Sequence, residues 1–279
     1  MNTSIGDVLI DGVPVPPGDA SISVFDIGFQ RGYGCFEAMR AYDGRIFRLD
    51  GHLDRLVSSA AMLELPLPRR TDLATWCERV AERAGDSVVR AFVTGGVDPA
   101  RPGTGSRVIV YAEAVVEPPL SFRVQTRVAP WHSDEVSGEL TGAKTLSYGY
   151  NLAAGIAARR AGFDDALLIG RTGHVLEGPT FSIAWIDQGS LVTPALDLGI
   201  LASITRAAVL EVATDRGLDV EEGSFELARV LAADEVMVLS TVKEVLPVVA
   251  IDETSFAAGP VTTRLAEGYR KLIEAEARR

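Results

Sequence analysis

The feature that most constrains the fold of this chain is its pattern of apolar residues, which changes from short strand-like runs to a helical spacing. Its first part consists of short apolar runs separated by turn residues, and the pairs Asp11-Gly12 and Asp43-Gly44 favour tight turns between antiparallel strands. The strands predicted from these runs are Val8-Ile10, Ile22-Phe25, Phe36-Tyr42 and Ile46-Leu49. A meander of antiparallel strands is therefore expected to open the chain.

From position 49 the spacing changes to that of a helix. Apolar residues now recur at steps of four and three, which places them on one helical face: Leu49, Leu53, Leu56, Ala60 and Leu63. Pro66 ends this run, and a second helix is predicted over 72–84. Strands are predicted over 88–95 and 107–115, on either side of the loop GGVDPARPGTG.

Residues 117–119 (Glu-Pro-Pro) mark a domain boundary because they favour neither helix nor strand. A chain of 279 residues also exceeds the length at which one core stops growing. We therefore predict a domain over 1–116, a linker over 117–121 and a second domain over 122–279. The second domain is predicted to contain strands at 122–128, 166–169, 182–186 and 235–239, and helices at 151–161, 204–216 and 261–277. Strands and helices interleave without a strict βαβ period, which indicates an α+β fold.

Composition excludes several classes of partner. The net charge of −11 argues against nucleic acid or an anionic membrane, because both need a positive surface. The N-terminus lacks a basic region followed by an apolar run, and no apolar stretch is long enough to span a bilayer, so a cytoplasmic location is expected. Cys35 and Cys77 lie in apolar segments without metal-ligand spacing, which predicts buried free thiols and no metal site.

Lysine is rare enough here for each residue to be considered individually: the chain has Lys144, Lys243 and Lys271. Lys271 is expected on a solvated helix face, and Lys243 is expected to make a structural pair with Glu244 or a neighbour. Lys144 lies in TGAKTLSYGY, between small residues and two tyrosines. A lysine amine in a partly apolar place loses its proton more easily and can form a Schiff base with a carbonyl.

Other residues can complete a site around such a lysine. Glu177 stands where an apolar strand is expected to turn, and a carboxylate there can keep a pyridinium nitrogen protonated, although a turn-capping role is equally compatible. Ile204 and Thr205 begin a predicted helix, whose free amide groups attract phosphate. For the same phosphate, Thr241 can add a hydroxyl donor and Arg55 a charge-assisted hydrogen bond. Each of these residues also has a purely structural interpretation: Ile204 and Thr205 as a helix start, Thr241 as a strand end and Arg55 as a surface charge.

Five spaced segments together resemble the class IV, pyridoxal-phosphate-dependent aminotransferases over essentially the entire chain: SVFDIGFQRGYGCFEAMRAYDGRIFRLDGHLDRL, AKTLSYGYNLAAGIAARRAG, LIGRTGHVLEGPTFSIAW, LVTPALDLGILASITR and EVMVLSTVKEVLPV. The resemblance implies that Lys144 binds pyridoxal 5'-phosphate as a Schiff base. It places Glu177 at the ring nitrogen and Tyr148 near the ring hydroxyl. Around the phosphate it places Arg55, Ile204, Thr205 and Thr241.

The same resemblance implies an overall organisation. The fold is the two-domain α+β fold of these enzymes (fold type IV), with a small N-terminal α/β domain and a larger C-terminal pseudo-barrel domain. The assembly is a homodimer whose pocket is completed by a loop of the partner subunit. The substrates are an amino acid and a 2-keto acid, and ping-pong kinetics are expected.

The substrate site departs from the better-known branches of the family. Branched-chain enzymes usually carry a tyrosine where this chain has Arg31, and D-amino acid enzymes use an arginine-histidine pair in a loop that here offers Arg101 without a nearby histidine. Alternation along 88–95 puts Arg90 on the face opposite the packing valines. Arg31 and Arg90 are therefore candidates for the substrate carboxylate, and Phe36 matches a pocket position of the family.

This pattern is similar to an unusual branch of D-amino acid transaminases, acting on a donor such as D-alanine or D-glutamate. A salt bridge at the surface or between the domains is the structural alternative for either arginine. Three alternative activities share the cofactor residues: a branched-chain L-aminotransferase, an (R)-amine transaminase and a 4-amino-4-deoxychorismate lyase. Outside the enzymes, the alternative is a protein that binds the cofactor without catalysing a reaction.

Overall fold

A computed structural model describes residues 5–132 and 138–278. The described chain forms two compact units. The first contains residues 5–116, 143–148 and 276–278, and the second contains the remaining described residues between 117 and 275. The division predicted from the sequence placed 143–148 in the second domain, whereas these residues belong to the first unit.

The first unit is built on a six-stranded antiparallel sheet. Its strands are β1 (Val8–Ile10), β2 (Val13–Val15), β3 (Gly34–Tyr42), β4 (Arg45–Ile46), β5 (Ser87–Thr94) and β6 (Val108–Ala114). Its helices are α1 (Ile27–Arg31), α2 (Leu49–Met62) and α3 (Arg70–Ala84). The strands follow the order β2-β1-β6-β5-β3-β4.

One face of this sheet packs against α2 and α3. Alternate residues of β3, β5 and β6 are buried there, because successive side chains of a strand point to opposite faces. The helical face predicted from the four-and-three spacing supplies Leu53, Leu56, Ala60 and Leu63, each at most 1% exposed. Cys35 and Cys77 are free and buried in the same core, as predicted. Burial, and then the charge of a neighbouring glutamate, raises the pKa of each thiol to about 12.

Two of the predicted strands were wrong. Residues 22–25 are not a strand, because Ser23 begins a turn: its carbonyl accepts the Asp26 N–H at 3.0 Å and its hydroxyl accepts the Phe25 N–H at 3.1 Å. Asp26 then caps α1 by accepting the Gly28 N–H through Oδ1 at 2.7 Å. Arg31 is the last residue of α1. The strand expected over 46–49 ends at Ile46, since Arg48 takes a left-handed conformation and α2 begins at Leu49.

The second unit contains a mixed sheet of eight strands. They are β7 (Phe122–Val128), β8 (Asp165–Ile169), β9 (Ser182–Asp187), β10 (Ser190–Pro194), β11 (Val220–Gly223), β12 (Glu235–Ser240), β13 (Glu244–Ile251) and β14 (Thr254–Ser255). The order is β11-β10-β9-β12-β13-β7-β8, with β14 on β13. Neighbours are parallel in three pairs, β10/β11, β13/β7 and β7/β8. Together with the first sheet and the helices, this confirms the α+β prediction.

Helices border this second sheet. They are α4 (Gly149–Arg160), α5 (Ile204–Asp215), α6 (Leu227–Leu231) and α7 (Pro260–Ala277), with a 3₁₀ turn over Leu196–Leu198. Small residues of α4, Ala154 and Ala158, pack with Leu168 of β8. Trp185 of β9 is fully buried and meets the Phe225 ring edge-to-face. None of the helices within the described residues has the length and apolar character needed to cross a membrane.

A carboxylate from the sheet caps the longest helix. Glu235, the first residue of β12, accepts the Val261 N–H through Oε1 at 3.0 Å and the Thr262 N–H through Oε2 at 2.7 Å. The Thr262 hydroxyl donates to the same Oε2 at 2.7 Å. Gly259 is required beside this cap, since a Cβ there would lie 1.9 Å from the Glu235 carboxyl carbon. The negative charge satisfies first-turn amides that have no acceptor within the helix.

Replacing Glu235 by alanine should therefore destabilise the second unit. Three donors lose their acceptor, so we expect the free energy of unfolding to fall by about 3 kcal/mol, measured by urea denaturation. Asp234→Ala, at the exposed preceding position, is the control and should change it by less than about 0.5 kcal/mol. Equal losses for the two variants would contradict the role given to this cap.

Candidate active site

Lys144 is held beside the strand that bears the first signature motif. Its segment pairs with β3: the Phe36 N–H donates to Lys144 O at 3.0 Å, and the Leu146 N–H donates to Gly34 O at 2.8 Å. The Lys144 N–H is accepted by the hydroxyl of Ser59, on α2, at 3.0 Å. The backbone of Lys144 is thus fixed by a strand on one side and a helix on the other.

The amine of Lys144 lies over an aromatic surface. Its Nζ is 4.5 Å from the centroid of the Phe36 ring. Phe36 meets Tyr148 edge-to-face at 6.1 Å and stacks on Phe92 at 5.6 Å, and Phe92 in turn stacks on Tyr111 at 5.9 Å. These rings come from β3, β5, β6 and the 143–148 segment, so the predicted site residues Lys144, Tyr148 and Phe36 lie together.

Arg55 is held by a buried carboxylate. Its Nε and Nη2 donate to the two oxygens of Glu37 at 2.6 and 2.7 Å, which is a bidentate pair. His52, one turn earlier on α2, donates from Nδ1 to Glu37 Oε2 at 2.8 Å. Glu37 is fully buried and His52 is 1% exposed.

Burial and hydrogen bonding together set the protonation states of Glu37 and His52. Burial alone would raise the pKa of the Glu37 carboxyl, but the hydrogen bonds and charges of Arg55 and then His52 lower that pKa to about 2. Burial lowers the pKa of His52, against the opposing effect of Glu37. His52 is therefore neutral and Glu37 is ionised. The ionised carboxylate of Glu37 fixes the position and orientation of the Arg55 guanidinium.

The two candidate substrate arginines differ in their surroundings. Arg90 lies on the same half-buried face as Phe36 and Phe92, as the alternation predicted, and its Nε donates to Glu113 Oε2 at 2.9 Å. Glu113 and Tyr111 also line a cavity of about 570 Å³ together with Pro17, Gly18 and Ala20–Ile22. Arg31 is exposed at the end of α1. The structure thus places Arg90, but not Arg31, among the rings near Lys144.

Glu177 belongs to the second unit. It follows isolated bridges at 174 and 175 and not the regular strand that we expected. Its carbonyl accepts the Leu168 N–H at 2.9 Å, and its Oε1 accepts the Leu201 N–H at 3.2 Å. The side chain is half-buried, so its carboxylate is oriented by the chain that leads into α5.

Ile204 and Thr205 are the first two residues of α5, as predicted. Ser203 caps the helix by accepting the Arg206 N–H at 3.2 Å. The buried Arg206 guanidinium donates to Thr193 Oγ1 at 3.1 Å and to Pro194 O at 2.9 Å, and it pairs with Glu222. The first turn of α5 is therefore anchored to β10 and β11.

Thr241 lies in the turn between β12 and β13, and Lys243 closes that turn. The Lys243 amine donates to Thr180 Oγ1 at 2.9 Å. Burial lowers the pKa of Lys243, with Asp165 opposing the change. Lys243 thus ties the turn of Thr241 to the turn that follows Glu177.

Sequence reasoning missed the residues that support the site. Glu37, His52 and Ser59 were not singled out, although each had a signal. Glu37 stands at an inward position of an alternating strand, between Cys35 and Met39. His52 and Ser59 lie on the buried side of a helix, and polar groups in such places are almost always paired.

Comparison with known proteins supports one family. Residues 34–251 match the family model described as Amino-transferase class IV. A D-alanine aminotransferase from Listeria monocytogenes is 31% identical over 95% of this chain and 96% of its own length. The crystal structure of a branched-chain aminotransferase from Thermoproteus uzoniensis with norvaline is 30% identical, with a TM-score of 0.87, over 95% of this chain and 94% of that one.

A hypothetical aminotransferase from Mycobacterium tuberculosis, in a PLP-bound form, is 25% identical, with a TM-score of 0.89 over 97% of this chain and all of that one. The family is pyridoxal-phosphate-dependent. The matched residues include both the strand that bears Phe36 and the segment that bears Lys144. The chain belongs to the class IV aminotransferases, and its cofactor is pyridoxal 5'-phosphate.

Proposed function

We propose that this enzyme is a cytoplasmic transaminase that moves the amino group of a D-amino acid, such as D-alanine or D-glutamate, to a 2-keto acid. The observation that carries the proposal is the position of the Lys144 amine over the Phe36 ring, on the sheet face that also bears Arg90. A nucleophilic amine and a carboxylate-binding group on one face are what an amino acid substrate requires.

The residues present fit the cofactor. Pyridoxal phosphate offers an aldehyde, a phosphate and a ring nitrogen. Lys144 supplies the amine for the aldehyde, and Arg55 supplies a guanidinium already oriented by Glu37. Thr205 and the α5 amides, with Thr241, supply phosphate donors, and Glu177 supplies a carboxylate for the ring nitrogen. The donor set matches each polar group of the cofactor in charge and type.

The chain's own groups divide the work of the reaction. When bound, the cofactor supplies an electron sink for negative charge at the substrate's α-carbon. Lys144 Nζ would bind the cofactor and, once released by the substrate amine, would take the proton from the α-carbon and deliver it to the cofactor's aldehyde carbon. Glu177 would keep a proton on the ring nitrogen, Tyr148 would lie near the ring hydroxyl, and Arg55 would neutralise phosphate. Water would then release the keto acid and leave the amino group on the cofactor before the acceptor binds, which gives ping-pong kinetics.

Arg90 supports an amino acid as the substrate, and the resemblance to a branch of D-amino acid transaminases supports the D-enantiomer. Arg90 shares a face of β5 with Phe92, and the bond from Nε to Glu113 orients the guanidinium. We assign the two Nη atoms to the substrate carboxylate, because a guanidinium binds a carboxylate with two parallel hydrogen bonds. Arg31, contributed by the same chain or a partner, is the second candidate for this carboxylate.

A branched-chain L-aminotransferase is the second candidate function. The stacked rings of Phe36, Phe92 and Tyr111 give an apolar face that suits an aliphatic side chain. The similarity to the Thermoproteus uzoniensis enzyme also favours it. An (R)-amine transaminase and an aminodeoxychorismate lyase would use the same cofactor residues and differ in substrate.

An absorbance spectrum before and after adding amino donors tests the function. We expect the band of the lysine-bound cofactor to disappear with D-alanine and to persist with L-leucine. In Lys144→Ala the band should be absent, whereas Lys271→Ala, at an exposed position of α7, should keep it. A response to L-leucine alone identifies the branched-chain candidate. Response only to (R)-phenylethylamine, or release of pyruvate from aminodeoxychorismate without an acceptor, identifies the other two activities.

Replacing Arg90 by methionine tests the carboxylate site. Loss of a bidentate charged pair should raise KM for D-alanine by about 10- to 100-fold. Arg69→Met, which removes an exposed arginine paired with Asp72, is the control and should leave KM unchanged. An unchanged KM in Arg90→Met would remove Arg90 from the site and leave Arg31 to be tested.

We also propose a homodimer in which a loop of the partner subunit completes the pocket. Val24, Phe25 and Phe29, around the start of α1, are each more than 60% exposed, and adjacent exposed apolar residues mark interaction surfaces. Sedimentation equilibrium should give twice the chain mass of 29.8 kDa. Glu substitutions at Phe25 and Phe29 should shift the mass towards that of one chain. A wild-type enzyme that is monomeric while active would disprove the assembly.

A further inference from the structure

Ser59 is a buried hydroxyl in an apolar environment. It is 1% exposed, and it lies on α2 between Leu56, Ala60 and Leu63, which form the helix face that packs on the sheet. Serine is less favourable than alanine within a helix, and burying a hydroxyl costs free energy unless it is hydrogen-bonded. Packing alone would therefore favour alanine at this position.

The hydroxyl has one partner that concerns the reaction. Ser59 Oγ accepts the backbone N–H of Lys144 at 3.0 Å, between residues 85 positions apart in the sequence. Pairing with β3 engages Lys144 through its carbonyl, which accepts the Phe36 N–H. Ser59 thus continues the hydrogen bonding of this segment at the point where pairing with β3 stops.

The same helix carries Arg55, four residues before Ser59. Residues four apart lie on one helical face, and the spacing between them is fixed by the helix. Glu37 on β3 orients the Arg55 side chain, while Ser59 holds the backbone of Lys144. About one turn of α2 therefore connects the guanidinium and the lysine through one rigid element.

We propose that Ser59 is a positioning residue for Lys144. It fixes the backbone from which the lysine side chain extends, and so fixes where the amine lies over the Phe36 ring. The inference rests on the proposed function, in that it takes Lys144 as the residue that binds the cofactor. Ser59 itself touches neither the substrate nor the cofactor in this assignment.

The test compares Ser59→Ala with Ser58→Ala in the holoenzyme. Ser58 is the adjacent, exposed residue of the same helix, so the two variants make the same chemical change. The first measurement is hydrogen exchange of the Lys144 amide. Loss of a buried acceptor should speed that exchange at least about tenfold in Ser59→Ala, whereas Ser58→Ala should match the wild type.

The second measurement follows the absorbance of the lysine-bound cofactor against pH. Because the amine is displaced from its place over Phe36, we expect the midpoint of this titration to shift in Ser59→Ala and not in Ser58→Ala. kcat with the preferred donor should fall about tenfold in Ser59→Ala with KM changed less than twofold. A change in folding alone would alter the melting temperature without moving the spectroscopic midpoint.

Two results would overturn the inference. One is rapid exchange of the Lys144 amide in the wild type, since the hydrogen bond would then be absent in solution. The other is an unchanged titration midpoint in Ser59→Ala. Borohydride reduction followed by peptide mapping separates these results from failure of the proposed function, because label on Lys243 instead of Lys144 would disprove the function itself.

Discussion

The first unit depends on the ionised carboxylate of Glu37 inside its core. Removing a carboxylate from water carries a large free-energy penalty, and here it is offset by a bidentate bond from Arg55 and a bond from His52. Because both partners lie on α2 and Glu37 lies on β3, the ion pair fixes the helix against the sheet in register as well as in distance. Apolar packing alone would tolerate small shifts along the helix axis, whereas hydrogen bonds of 2.6–2.8 Å do not.

That arrangement explains how structure and chemistry share residues here. Phe36 and Glu37 are neighbours on β3, and strand alternation sends them to opposite faces. Glu37 therefore organises the core while Phe36 contributes to the face under Lys144. On α2, Ser59 and Arg55 lie on one helical face, where Arg55 pairs with Glu37 and Ser59 bonds the backbone of Lys144. The same strand and helix serve both the core and the candidate site. Substitutions in the core of this unit will therefore alter the geometry of the candidate site.

Much of the fold was predictable from local patterns, and the failures have physical causes. The helical face of α2, the alternation of β5 and the start of α5 after Ser203 all follow from side-chain periodicity and capping. Residues 22–25 look like a strand because most of them are apolar, but the hydrogen bonds that Ser23 accepts from Phe25 and Asp26 form a turn instead. Lys144, Glu177 and Arg55 could be named as candidates because they lie in recognisable motifs. Glu37, His52 and Ser59 act through partners distant in sequence, and no local pattern names those partners.

The pairing of the Lys144 segment with β3 has a consequence for biosynthesis. The neighbouring contacts of this segment, with Ser59 on α2 and with Gly32, join residues separated by 85 and 115 positions, so loop-closure entropy is lost when the segment docks. The sheet and helices of the first unit lie before residue 117 and are complete in the nascent chain much earlier. During synthesis this part of the protein can fold while the edge of β3 at Gly34–Phe36 still awaits its partner. The enzyme's nascent chain therefore passes through a period with an unpaired strand edge, when aggregation is a greater risk than in the finished protein.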